Sequence, residues 1–209
     1  MNTLHREHSL SDPDPAVRAK SLESVEASIE TAVALGADTV LIVPAVVKPD
    51  VTYEEAWERS AESIRKILPK AEDRGVVLAV ENVWNKFLLS PIEFADYVDE
   101  FDSEFVAAYF DVGNIAAYGY PQHWIRTLGD RIAGVHVKGF DANAHQFVQL
   151  CTGTIDWPAV MAAFRDVGYD GYLTAEQAGE TGDDAVDIVK ISDDLDSILS
   201  LAFSNRDCV

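Results

Sequence analysis

Five short apolar runs, separated by segments with helical spacing, set what this chain can fold into. They fall at residues 38–44, 76–82, 105–111, 132–138 and 172–176, and they are continuous rather than alternating. Continuous runs rich in β-branched residues are the pattern of strands covered on both faces. Each intervening segment carries helix punctuation. Asp14 and Pro15 open the first helix and Gly36 stops it; Thr52 opens a second, with a kink expected at Pro69, and Gly75 ends it. Ser90-Pro91, Pro121 and Asp156-Trp157-Pro158 open three more, and residues 184–203 form a closing amphipathic helix. Buried strands joined through helices run parallel, because hairpins cannot make those connections. The class is therefore α/β. No Pro-, Gly- or Ser-rich linker divides the chain, so residues 1–209 read as one domain.

The charge balance narrows the partners. Asp and Glu number 36 against 16 Lys and Arg, a formal charge of -20 spread along the whole chain. Nucleic acid and anionic membrane surfaces both call for a basic excess, so neither is expected as a partner. Diffuse acidity with few lysines fits either adaptation to high salt, which screens self-repulsion, or ordinary acidic bias. Two cysteines make no disulfide framework, the start has no apolar signal core, and no run approaches the roughly 20 residues of a membrane span. A cytoplasmic location is expected. Cys151 reads as a small buried residue.

Four of the runs end in a side chain able to bind metal: Glu81, Asp111, His136 and Glu176. The intervals are 30, 25 and 40 residues, about one β/α unit each, which brings the four to one C-terminal sheet rim. That rim is where active sites sit in a (β/α)8 barrel. Three carboxylates and an imidazole suit Mn²⁺ or Mg²⁺, with Co²⁺ and Zn²⁺ also compatible. Without a cation the carboxylates would repel one another.

The segments 81–86 (ENVWNK), 109–114 (YFDVGN), 134–138 (GVHVK) and 173–176 (LTAE) resemble the xylose isomerase-like TIM-barrel superfamily. Within it they look most like the hexulose-6-phosphate isomerase or ribulose-5-phosphate 3-epimerase branch. The resemblance implies a divalent cation that stabilises an enediolate formed from a keto-sugar or sugar phosphate. Glu81 and Glu176 would then be ligands that also move protons, with Asp111 and His136 as ligands only. It also implies a (β/α)8 TIM-barrel type fold truncated at its N-terminal side to about five parallel strands, since a full barrel takes about 250 residues and eight strands. Residues 1–10 would be irregular or a remnant of a third strand. A misplaced gene start, a fragment, a homo-oligomer or another chain covering the missing wall all remain open.

Candidate substrate-binding residues are Asn82, Trp84, Asn85, Lys86, Asn114, Lys138 and His145. Asn114 stands where free-ketose 3-epimerases of the superfamily often carry a histidine. Lys138, two residues beyond His136, shares its strand face and suits a substrate hydroxyl or phosphate as well as it suits water. His145 lies in a segment, 141–153, expected to be a loop over the rim, and 152–154 (TGT) is a weak phosphate-binding signal. His5, His8 and His123 read as surface residues. Inosose dehydratase and hydroxypyruvate isomerase activities share the same metal site, and a non-catalytic remnant is a third reading. An apurinic endonuclease would need a basic face and more histidines than five.

Overall fold

The computed structural model describes residues 9–177 and 188–203. The expectations for 1–8, and for the start of the last helix at 184–187, lie outside these residues. The chain divides into two compact units, Met1–Tyr109 and Phe110–Val209. No helix among the described residues is long and apolar enough to cross a membrane.

In the first unit, helix α1 (Pro15–Leu35) starts where Asp14 accepts a hydrogen bond from the Ala16 N–H at 2.8 Å. It stops at Gly36, whose φ of 73° is the left-handed conformation glycine adopts without strain. Ser21, Val25, Ile29 and Ala32 face inward, while Leu35 projects into solvent. Strand β1 (Thr39–Ile42) follows, and only Ile42 is fully buried in it. Thr39, Val40 and Leu41 are only partly buried, which corrects the expectation of a strand covered on both faces; among the described residues of this unit β1 pairs with β2 alone.

Helix α2 (Tyr53–Arg74) begins with a reciprocal capping box between Thr52 and Glu55 and continues through Pro69. It packs on α1, and Glu30 of α1 meets Arg74 and, at 3.3 Å, Lys70. Strands β2 (Val77–Glu81) and β3 (Val106–Asp111) are parallel, with Leu78 opposite Val106 and Glu81 opposite Tyr109. Helix α3 (Pro91–Asp99), boxed by Ser90 and Glu93, connects them. It brings Tyr97 edge-on to Trp57 and Phe87, at ring separations of 4.8 and 5.4 Å. The Tyr97 hydroxyl meets Ser60 Oγ at 2.7 Å inside this cluster, which satisfies the one polar atom that burial would otherwise penalise. Leu10, expected in an irregular terminus, is a core residue whose carbonyl accepts a hydrogen bond from Ser63.

In the second unit, Asp111 caps a short helix α4 (Val112–Ala116). Then come α5 (Pro121–Leu128), β4 (Ile132–Val137), α6 (Trp157–Asp166, capped by Asp156), β7 (Leu173–Ala175) and α7 (Ile188–Phe203). Strand β7 lies parallel to β4, with His136 opposite Thr174. An antiparallel hairpin of β5 (Gly139–Asp141) and β6 (Gln146–Val148) runs into the segment 141–153, expected as a loop over the rim, and replaces its first part. Gly139 is required there, because a Cβ would stand 2.2 Å from the Gln149 carbonyl oxygen. Cys151 is exposed rather than buried: it follows Leu150 in a turn, and Leu150 takes the core position. Among the described residues, five parallel strands alternating with helices, three pairing in the first unit and two in the second, are of the TIM-barrel type and fewer than the eight of a closed barrel.

Candidate metal centre

Three strand ends of the second unit deliver side chains to one place. Asp111 is the last residue of β3 and is fully buried, His136 lies near the end of β4, and Glu176 follows β7 directly. The Glu176 backbone N–H donates to the Val137 carbonyl at 3.0 Å, which carries the β4–β7 ladder one step past the strand and fixes where Glu176 leaves it. His136 Nδ1 stands 3.9 Å from Asp111 Oδ2 and 3.8 Å from Glu176 Oε2.

The two oxygens of Asp111 face different tasks. Oδ1 accepts the backbone N–H of Asn114 at 2.7 Å and so caps α4. Oδ2 meets the Lys138 ammonium at 2.9 Å, and the same ammonium hydrogen-bonds Glu176 Oε2. Lys138 is therefore neither a rim lysine in water nor directed away from the ligands; only 13% of its side chain is accessible. Burial works against the charge of Glu176, yet the Lys138 hydrogen bond and charge outweigh it and hold the carboxyl below its ordinary range. Burial likewise opposes the Lys138 ammonium, and the two carboxylates overcome it and raise its pKa.

Two residues that the sequence did not single out hold Lys138 in place. A Cβ on Gly113 would lie 2.2 Å from Lys138 Cγ and 2.9 Å from its carbonyl oxygen, so the lysine stem rests where glycine leaves room. Phe147, on the hairpin, presents its ring 5.0 Å from the ammonium, in cation–π range. Gly113 lies inside the YFDVGN motif, but nothing in that motif announces its close approach to Lys138.

The other candidates are placed as follows. Glu81 ends β2 in the first unit and is buried, as is Asn82. Asn85 donates to the Ala45 carbonyl at 2.7 Å and accepts from the Phe87 N–H at 3.1 Å, so its side chain ties the segment after β2 to the one after β1. Trp84 is half exposed, and Lys86 is exposed at a φ of 62°, a left-handed conformation uncommon outside glycine. His145 is exposed in the hairpin turn, with its ring edge-on to Phe140 at 5.6 Å. Asn114 is buried on α4. In the second unit the structure thus brings Asp111, His136, Lys138 and Glu176 together, and leaves His145 exposed at the turn.

The donor set fits a divalent cation. Carboxylate oxygens and an imidazole nitrogen surround one position, and the ammonium of Lys138 already shows that this position accepts positive charge. Hard oxygen donors with one nitrogen on a parallel-sheet rim define a class, the α/β proteins that gather metal-competent side chains at strand ends. Residues 2–196 match the model of the xylose isomerase-like TIM barrel family, and the chain belongs to that family. It is 26% identical over 197 residues to L-ribulose-5-phosphate 3-epimerase of Escherichia coli O1:K1, covering 91% of this chain and 68% of that one. An uncharacterised protein of Methanocaldococcus jannaschii is 26% identical over 180 residues, and the match spans 79% of this chain but only 61% of the relative. The crystal structure of a D-tagatose 3-epimerase-like protein superposes with a TM-score of 0.80 over 94% of this chain and 74% of that one, at 22% identity, a likeness of fold.

Proposed function

We propose that the chain is a divalent-metal-dependent isomerase or epimerase of a keto-sugar or sugar phosphate, with Glu81, Asp111, His136 and Glu176 together holding the ion. The observation that supports this most strongly is the convergence of Asp111, His136 and Glu176 around a position that carries positive charge. Membership of a family with sugar 3-epimerases among this chain's relatives supports the substrate class. Mn²⁺ suits three carboxylates and one imidazole best. Bound there, a divalent cation supplies Lewis-acid stabilisation of the negative charge that develops beside a carbonyl.

The protein's own groups do the rest. Asp111 and His136 are pure ligands, the first fixed by its cap on α4. Glu176, with 28% of its side chain accessible, reaches the substrate side and takes a proton from the carbon next to the carbonyl. Glu81, buried at the end of β2, returns a proton from the other face. Asn82, Trp84, Lys86, Asn114, Lys138 and His145 contact substrate, and Asn85 holds the segment after β2 that carries Asn82, Trp84 and Lys86.

The test is solvent exchange. Mn²⁺-loaded protein is incubated in deuterated buffer with free pentuloses and hexuloses and with their phosphates, and carbon-bound deuterium is read by NMR. Incorporation into one set, lost in Glu176→Gln, is the expected result. No incorporation into any of them overturns the proposal.

A further inference from the structure

We infer that Lys138 is a resident counter-cation of this site, which neutralises Asp111 and Glu176 when no metal is bound and gives up both carboxylates when a divalent ion enters. The inference rests on the metal reading above and concerns how the site is loaded.

Two buried or half-buried carboxylates cannot face each other uncompensated without raising each other's protonation or loosening the fold. In this structure the compensation is internal. The ammonium bridges Asp111 Oδ2 and Glu176 Oε2, the same oxygens that His136 Nδ1 faces at 3.9 and 3.8 Å. The oxygens that would hold a metal are thus the ones the lysine holds. The arrangement is built rather than incidental. Gly113 leaves the space in which the lysine stem lies, at a distance no side chain there would permit, and Phe147 closes the outer side over the ammonium. A lysine with 13% of its side chain accessible has little access to water as an alternative partner. A divalent ion and the ammonium cannot share those oxygens, since like charges at that spacing repel strongly in a partly buried site. Metal entry is therefore a cation exchange, and the displaced ammonium moves outward past Phe147.

The experiment uses chelator-stripped full chain titrated with Mn²⁺ by calorimetry. Two charge-assisted contacts, to Asp111 and Glu176, no longer need to be broken; with most of their strength regained when the displaced ammonium meets water, the net gain is about tenfold in affinity. Lys138→Gln is therefore expected to bind Mn²⁺ about tenfold more tightly than the parent. Lys66→Gln, which removes the same charge from a surface pair with Glu62 on α2, leaves affinity within about twofold. Binding by Lys138→Gln that is equal or weaker overturns the inference while leaving the metal site intact. Absence of Mn²⁺ binding by the parent overturns the metal reading itself. A second measurement needs no variant: acetic anhydride labelling followed by mass spectrometry. Lys138 is expected to react slowly relative to Lys66 in stripped protein and faster when Mn²⁺ is saturating. Equal labelling in the two states overturns the exchange.

Discussion

Replacing Asp111 by Asn isolates what the Lys138 pair contributes to the metal-free fold. Asn caps helices about as well as Asp, so the bond from the Asn114 N–H at 2.7 Å is retained and α4 keeps its start. The negative charge 2.9 Å from the Lys138 ammonium is lost. Asp111 is fully buried and Lys138 nearly so, so solvent screening does little to shrink the effect. Breaking a buried pair outright costs about 3–5 kcal/mol. Here Glu176 still holds the ammonium, and the loss falls to that of one charged hydrogen bond, about 2 kcal/mol. For a domain of this size that lowers the thermal midpoint by about 4–8 °C. The assay is thermal denaturation in chelator, followed by circular dichroism, for the parent, Asp111→Asn, Lys138→Met and the double variant. A coupling energy of about 1–3 kcal/mol is expected from the cycle. A midpoint for Asp111→Asn equal to the parent's, or additive single effects, would refute the view that this pair stabilises the metal-free site.

Three further outcomes are expected. Tyr97→Phe removes the bond to Ser60 inside the aromatic cluster and costs about 1 kcal/mol, a midpoint drop of about 2–4 °C that an unchanged melt would contradict. Hydrogen bonds from Arg74 and then Lys70 hold the exposed Glu30 carboxyl below 4.5; the stabilisation is present above that value and is lost as pH falls through the lowered one. Glu30→Gln should therefore melt below the parent at pH 6 and converge with it on acidification, and a constant gap would sink that account. A net charge of -20 repels itself, so the midpoint should rise between about 0.1 and 1 M KCl, where the screening length shrinks from about 10 to 3 Å; a flat response would show that the acidic surface is not a burden at low salt.

The order of strands and helices was legible because parallel strands covered by helices read as unbroken apolar runs, and because Asp14, Thr52, Ser90 and Asp156 are cap residues that do cap. Strand-end positions were legible for the same reason: a polar residue that ends an apolar run is visible without coordinates. What escaped depends on distances between side chains far apart in sequence. Nothing in residues 134–138 says that the Lys138 ammonium turns back to Asp111 and Glu176, and nothing in YFDVGN says that Gly113 makes room for it. The β5–β6 hairpin is not announced by its sequence, because its turn lacks an Asn-Gly or Asp-Gly pair; His145 takes the positive φ of 52° instead. The partial exposure of Thr39, Val40 and Leu41 depends on what packs over β1, which periodicity does not record.

Asp111 turns over against resistance. A free carboxylate swaps its two oxygens by rotating about one bond, but here each half-turn must break the cap on α4 and the Lys138 contact together before the other oxygen re-forms them. Between such turns the two atoms hold different partners. Glu176, by contrast, follows a strand end and keeps part of its side chain in solvent, so of the two acids it is the one with room to move.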